Sequence, residues 1–226
     1  MQCSRRTFLA WCGVASLATL PGARAAEAAV SASAMTLAIV PLGKDLPDET
    51  IEFVRSCLAA FYDFRIVVLQ RQRLPKVAYY PQRQRYRADR LLDYLESAAA
   101  IDADRVVGLT AVDISTTKGN VYDWGVLGLA TIDGKVGVLS SFRCRRGVKT
   151  AQHAKYRFGK VAVHEVGHTL GLEHCPTVSC LMEDAQGTVT TSDREYDLCP
   201  ACRSRLASLG RAARNGPEIP WPKPPG

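Results

Sequence analysis

One eleven-residue segment, 164–174, constrains the fold more than any other part of the sequence. It runs His-Glu-Val-Gly-His-Thr-Leu-Gly-Leu-Glu-His and contains three of the four histidines of the chain. Residues four apart lie on one face of an α-helix, so His164 and His168 can direct imidazole nitrogens at a common point. His174 follows His164 by ten residues, about 15 Å along an unbroken helix, which is too far to share an ion. The segment therefore predicts a helix that ends at Gly171, where glycine adopts the left-handed conformation and lets the chain turn back.

Three neutral histidines are typical of catalytic zinc, because they leave the fourth tetrahedral position open. Zinc acidifies a bound water and polarises a carbonyl group, and Glu165 can take the proton of that water and deliver it to a leaving amine. We therefore predict hydrolysis of peptide bonds with Glu165 as the general base. Two alternatives stay open from these residues: a structural zinc site, and a non-catalytic zinc-binding protein that keeps the ligands.

Four cysteines follow the histidines: Cys175, Cys180, Cys199 and Cys202. Four thiolates complete a tetrahedral zinc site, so the spacing predicts a second, closed and structural zinc ion. A pair of disulfides is an alternative that an oxidising compartment would permit. A zinc ribbon that binds nucleic acid has similar spacing, but the modest charge of the processed chain argues against a nucleic-acid partner. The sequence thus predicts two zinc ions per chain.

Residues 1–25 are predicted to be an export signal. The run Ser4-Arg5-Arg6-Thr7-Phe8-Leu9 is a twin-arginine pattern, and an apolar stretch separates it from Ala23-Arg24-Ala25, which is typical of a cleavage site. Removal takes away three arginines and no acid, so the formal charge falls from +7 to +4. We expect the twin-arginine export machinery as a partner and a periplasmic or secreted location. If Met35 is the true start, the location is cytoplasmic.

The length of 226 residues, with 47% hydrophobic and 23% charged residues, indicates one globular domain and excludes wholesale disorder. The longest uncharged stretch, 7–23, is shorter than the ~20 apolar residues of a membrane-spanning helix, so we expect no membrane span in the mature chain. After the signal we expect a spacer at 26–34 and the domain at 35–209. The proline-rich tail at 210–226 is expected to be disordered, and the protein is expected to be a monomer.

Helical and strand-like segments alternate along the domain, which indicates an α/β fold with a mixed sheet packed against the active-site helix. Strands are predicted at 35–42, 65–69, 105–110, 124–131 and 136–142, and helices from Asp48 or Thr50, through Leu91 to Ala98, from His153 to Gly171 and up to Leu209. The segment from 71 to about 87 is predicted to be a loop. A hairpin at Asp133-Gly134 makes 136–142 the expected sheet edge, to which an extended peptide could add as a strand. Cys57 and Cys144 are expected to be free thiols rather than a bridge.

The segment 164–202 resembles the signature of the archaemetzincins, H-E-x-x-H-x-x-G-x-x-H-C followed by x4-C-x-M and later C-x-x-C. The upstream half of that family is also matched, at Leu74-Pro75, Ala78-Tyr79, Pro81, Arg83, Gln84, Leu91-Leu92, Val106 and Gly108-Leu109-Thr110. The resemblance covers about residues 35–209. It implies a metzincin-like fold with a small C-terminal part that a zinc site of four cysteines holds together.

The same resemblance implies a zinc metallopeptidase that acts on peptide or protein substrates. It assigns the catalytic zinc to His164, His168 and His174, the general base to Glu165, and the second zinc to Cys175, Cys180, Cys199 and Cys202. It also implies that Met182 forms an apolar turn beneath the histidines. No tyrosine stands where some other metzincins place one beside the zinc, and Tyr156 and Tyr196 are the candidates for stabilising the oxyanion.

Overall fold

The structure is a computed structural model that describes residues 35–98, 101–186, 188–211, 213–214 and 218–224. The predicted signal and spacer, 1–34, lie outside these residues. Across the described ranges, none of the helices combines the length and apolar character needed to cross a bilayer.

Strands and helices alternate along the described chain. The strands are β1 (Thr36–Leu42), β2 (Arg65–Val68), β3 (Tyr79–Tyr80), β4 (Arg85–Arg87), β5 (Arg105–Thr110), β6 (Ile114–Lys118), β7 (Val121–Val126), β8 (Gly128–Ala130) and β9 (Val136–Ser140). The helices are α1 (Asp48–Phe61), α2 (Ala88–Ser97), α3 (Ser141–Cys144), α4 (Ala151–Thr169), α5 (Thr191–Arg194) and α6 (Pro200–Ser208). Two single turns of 3-10 helix lie at Lys76–Ala78 and Pro81–Arg83.

The main sheet has five strands in the order β2-β1-β5-β9-β8, with only β8 antiparallel to its neighbour. Strand β1 is buried along its whole length because helices cover both faces of the sheet. Its Leu37 and Ile39 pack in the cluster that contains residues of α1 and α4, whereas Ala38 and Val40 pack in the cluster that contains residues of α2. The predicted mixed α/β sheet against the active-site helix is therefore confirmed.

The predicted edge of this sheet is wrong. Strand β9 is fully buried and lies between β5 and β8, and the three residues of β8 form the edge instead. The hairpin at Asp133-Gly134 is confirmed, and Asp133 has the left-handed φ of 52°. The predicted strand 124–131 is divided, because the chain leaves a second sheet at Val126 and enters the main sheet at Gly128.

The second sheet has the order β3-β4-β6-β7, and part of it comes from the segment predicted to be a loop. Long-range contacts of Arg87 hold this segment in the second sheet. This side chain is buried, donates to Oγ1 of Thr117 at 2.8 Å and lies over the ring of Tyr122 at 4.1 Å. Such pairing partners lie 30 or more residues away, so local sequence does not indicate them. The β6–β7 hairpin forms one wall of the cleft described below.

The proline-rich tail was expected to be disordered, and this is wrong for the described residues 218–224. Trp221 is only 4% exposed, and its ring stacks on Phe61 with centroids 5.5 Å apart. Its indole N–H donates to the carbonyl oxygen of Tyr196 at 2.9 Å. Trp221, together with the partly buried Ile219, thus packs the proline-rich segment against the core. The expected free, buried thiols of Cys57 and Cys144 are confirmed.

Candidate active site and metal centres

Helix α4 carries three of the predicted site residues, His164, Glu165 and His168. It begins after Thr150, whose hydroxyl accepts the backbone N–H of His153 at 3.1 Å, and its last residue is Thr169. Gly171 has φ of +91°, so the helix stops where the sequence predicted. A side chain at this position would also approach Leu209 to 3.0 Å.

The turn at Gly171 does more than end the helix. The backbone N–H of Leu172 donates to the carbonyl of Gly167 at 3.0 Å, and this closes the turn. The carbonyl oxygen of Leu172 then accepts a hydrogen bond from Nδ1 of His168 at 2.7 Å. Because Nδ1 carries the proton, Nε2 of His168 is left with a lone pair that faces the cleft.

The three histidines converge on one point. Nδ1 of His164 donates to the carbonyl oxygen of Leu181 at 2.7 Å, so its Nε2 is also unprotonated and lies 3.0 Å from Nε2 of His168. The ring of His174 is 5.4 and 4.9 Å from the other two ring centroids, and one ligand atom of each residue lies within 4.8 Å of the others. Two lone pairs facing each other repel unless a cation lies between them. Tetrahedral zinc with Zn–N bonds of about 2.0 Å needs nitrogens about 3.3 Å apart, so these donors fit zinc.

The electrostatics of these histidines also suit a metal ion. Burial, and then the neighbouring His168, lowers the pKa of His164 to about 3, and burial lowers the pKa of His168 as well. Both imidazoles are therefore neutral at pH 7, which is the form that binds a metal.

Glu165 lies beside this cluster and beneath the edge strand. It is 6% exposed, and a Cβ atom placed on Gly128 of β8 would lie 2.4 Å from its Oε1. Only glycine at 128 leaves room for the carboxylate. Burial raises the pKa of Glu165 to about 8, and a cation held by the adjacent histidines would lower it again.

The four cysteines form the second cluster, with all four Sγ atoms within 4.8 Å of one another. Cys175 and Cys199, and likewise Cys180 and Cys202, are 3.7 Å apart, whereas a disulfide requires about 2.05 Å. Zn–S bonds of about 2.3 Å in a tetrahedron place sulfurs about 3.8 Å apart, so the cluster fits zinc. The disulfide alternative is wrong for this structure, because all four cysteines are free thiols.

Backbone N–H groups support negative charge on these sulfurs. The amides of Met182 and Cys199 donate to Sγ of Cys180 at 3.5 and 3.4 Å, and the amide of Thr177 donates to Sγ of Cys175 at 3.4 Å. The hydrogen bond from Cys202, together with the two amides, holds the pKa of Cys180 well below its usual value. A thiolate is the form of cysteine that binds zinc.

The two clusters are joined through the segment 180–182. Leu181 supplies the carbonyl oxygen that holds His164, and its own N–H donates to Asp197 at 3.0 Å. Met182 is fully buried below the helix, and a Cβ atom on Gly167 would lie 2.6 Å from its Sδ. Met182 thus packs against α4 at Gly167, the residue that precedes His168. The cysteine cluster therefore helps to position the first of the three histidines.

A cleft of about 410 Å³ opens above the histidines. The β6–β7 hairpin, β8, helix α4 and the segment 183–195 line it. Four of its polar or aromatic residues were not identified from the sequence, because no local motif marks them: Lys118, Trp124, Asp184 and Glu195. The two proposed oxyanion candidates, Tyr156 and Tyr196, do not line this cleft.

Comparison with known proteins agrees with this geometry. Residues 38–208 match the model of peptidase family M54. The chain is 32% identical over 176 residues to the archaemetzincin of Halobacterium salinarum, covering 75% of this chain and 98% of that protein. It is 28% identical over 180 residues to the archaemetzincin of Methanocaldococcus jannaschii, covering 78% and 95% of the two chains.

Solved structures show the same relationship. The crystal structure of archaemetzincin from Methanopyrus kandleri superimposes with a TM-score of 0.68 at 28% identity, covering 80% of this chain and 98% of that one. The archaemetzincin of Archaeoglobus fulgidus, complexed with malonate, gives a TM-score of 0.64 at 28% identity, covering 76% and 99%. The chain therefore belongs to peptidase family M54, the archaemetzincin family of zinc metallopeptidases.

Proposed function

We propose that this zinc metallopeptidase hydrolyses peptide bonds with zinc held by His164, His168 and His174 and with Glu165 as the general base. One observation carries the proposal. The three imidazoles converge beneath an open cleft, with a buried carboxylate next to the first of them. A purely structural zinc site is closed by four protein ligands, whereas this cluster offers three.

Zinc held by His164, His168 and His174 would supply Lewis acidity, which would polarise the scissile carbonyl and let water lose a proton near neutral pH. Glu165 accepts the proton of the attacking water and delivers it to the nitrogen of the leaving amine. The contact with Gly128 keeps the carboxylate in one place for both transfers. His164 and His168 are held by the carbonyls of Leu181 and Leu172, so the ligand geometry exists before a substrate arrives.

Strand β8 supports binding of an extended peptide. It is the edge of the main sheet and lines the cleft directly above α4. Its outer backbone groups can therefore pair with a substrate strand, in the role first expected for 136–142. Because β9 is an interior strand, Leu139→Pro is expected to remove ladder hydrogen bonds and destabilise the fold.

The four cysteines are proposed to bind a second, structural zinc ion, which gives two zinc ions per chain. Their sulfur geometry and amide hydrogen bonds support this assignment. Elemental analysis of purified residues 26–226 should find two zinc ions. One ion would mean that one of the two clusters does not hold zinc.

The test of the mechanism compares wild type with Glu165→Ala on a peptide library. We expect two zinc ions in both proteins and cleavage by the wild type alone. A wild type that binds two zinc ions and cleaves nothing would favour the alternative, a non-catalytic zinc-binding protein with the same fold.

Export through the twin-arginine machinery to the periplasm or beyond is proposed from residues 1–25 alone. Replacing Arg5 and Arg6 together by lysine should retain the protein in the cytoplasm of a host with that machinery. Equal export of both forms would contradict the proposal, and a protein that starts at Met35 would stay cytoplasmic in either case. A monomer is proposed as well, and light scattering after gel filtration should give the mass of one processed chain.

A further inference from the structure

Glu195 is an acidic residue in the cleft that the peptidase mechanism does not use. It follows helix α5, is 3% exposed and lines the cleft. Its carboxylate makes no hydrogen bond or ion pair with any residue in the described part of the chain. Its oxygens are not among the fully enclosed, unpartnered side-chain atoms of the described residues, so the carboxylate keeps contact with the cleft and is available to a ligand there.

The neighbouring cations are engaged elsewhere. Arg157 forms a two-point hydrogen bond with Asp193 at 2.7 and 2.6 Å, and Arg194 pairs with Glu183. The ammonium of Lys160 donates to the carbonyl oxygen of Ser192 at 2.7 Å. The positive charge of Lys160 lowers the pKa of Glu195, but the burial of Glu195 has the larger, opposite effect. The pKa of Glu195 is therefore raised to about 8. No cation within the described residues thus pairs directly with this carboxylate.

Glu195 and the edge strand β8 line the same cleft over α4. Strand β8 contacts the helix at Glu165 through Gly128, whereas α5 contacts it about two turns earlier, through the pair of Arg157 and Asp193. Val161, one turn before His164, and Ser192 of α5 line the cleft together with Glu195. A peptide paired with β8 would project alternate side chains into the cleft that Glu195 lines.

We propose that Glu195 forms the base of a specificity pocket that binds a lysine or arginine side chain of the substrate next to the scissile bond. The proposal rests on the proposed peptidase function and adds the substrate class. Apolar Val161 can cover the alkyl part of such a side chain, and the carboxylate can accept its charged N–H groups. A cationic guest would also stabilise the ionised form of Glu195 in place of a bound proton.

The experiment profiles cleavage of a mixed peptide library by wild type, Glu195→Gln and Glu96→Gln. Glu96 is exposed on α2, so its replacement removes one negative charge from the protein without touching the cleft. We expect wild type and Glu96→Gln to prefer lysine or arginine over norleucine at one position next to the scissile bond by about tenfold or more in kcat/KM. Glu195→Gln should lose this preference, keep its kcat/KM on the norleucine peptide and keep two zinc ions.

Two outcomes would overturn the proposal: a wild type that cleaves without preference for a cationic side chain, or a Glu195→Gln variant that keeps the preference. If the wild type cleaves no peptide, the proposed function fails, but the pocket is still tested by binding. Zinc-loaded wild type should then bind acetylated hexapeptides that carry lysine or arginine about tenfold more tightly than the norleucine peptide, and Glu195→Gln should bind both alike. Equal binding by the wild type would refute the pocket independently of catalysis.

Discussion

Gly128→Ala should reduce the rate of catalysis strongly while lowering the stability of the fold only slightly. The new Cβ atom would lie 2.4 Å from Oε1 and 2.6 Å from Cδ and Cγ of Glu165. Nonbonded carbon atoms require about 3.5 Å, so the carboxylate has to move by about 1 Å. The clashing atoms are those of one flexible side chain, and a shift off its preferred rotamer costs about 0.5–1.5 kcal/mol. For a domain of this size that cost corresponds to a fall in Tm of about 1–6 °C.

The effect on the reaction is expected to be much larger. Displacement of a catalytic group by about 1 Å costs on the order of 100-fold in rate, so kcat should fall by about that factor. The three atoms nearest to the new methyl group all belong to Glu165 and none to a histidine, so zinc content should stay at the wild-type value. The assay is steady-state hydrolysis of a library-derived peptide, together with thermal unfolding and elemental analysis.

Gly137→Ala is the matched control, because Gly137 lies on the adjacent strand over the same helix. Its Cβ would lie 3.3 Å from the Cβ of Ala130 and 3.9 Å from the Cβ of Glu165, so kcat should stay within about threefold of wild type. If Gly128→Ala retains wild-type kcat, the edge strand moves instead of the carboxylate, and the reasoning is refuted. A rise in KM at unchanged kcat would point to blocked pairing of the peptide with β8.

Three further predictions concern stability and metal binding. Trp221→Ala should lower the free energy of unfolding, measured in urea, by about 3 kcal/mol. Trp221→Phe should lower it by only about 1 kcal/mol, because the stack on Phe61 remains and only the indole hydrogen bond is lost. Equal, negligible losses for both variants would mean that the tail is not bound to the core. Cys199→Ser should lower the zinc content below two ions. It should also reduce peptidase activity, because the carbonyl oxygen of Leu181, next to the cysteine cluster, fixes the ring of His164. Unchanged activity would show that the two clusters are independent. Tyr62→Phe should cost about 1 kcal/mol, since its buried hydroxyl donates to the carbonyl of Val163 at 2.8 Å, and KM should not change.

The sequence by itself determined the metal chemistry. The spacing of His164 and His168 requires a helical face, and Gly171 is the residue that allows a helix to end and bring His174 back. The cysteine spacing likewise predicted a compact thiolate cluster. These are short-range constraints, because each is fixed by the geometry of fewer than about 40 consecutive residues, and the structure brings all seven predicted ligands together in two groups.

The order of strands was decided only by tertiary structure. The hairpin at Asp133-Gly134 was predictable, but which of its two strands forms the edge depends on whether β9 pairs with β5, a strand about 30 residues away in sequence. The same holds for Trp221, since a single aromatic residue in a proline-rich tail carries no local signal of its partner Phe61.

The lining of the cleft is likewise a property of the tertiary structure. Lys118 and Trp124 come from the β6–β7 hairpin and Glu195 from the segment after α5, and only the packing of both sheets and α5 around α4 brings them to one cavity. The ligands can be inferred from sequence because one ion imposes a fixed geometry on them. The residues that select a substrate have no such common constraint, so their identity depends on the complete fold.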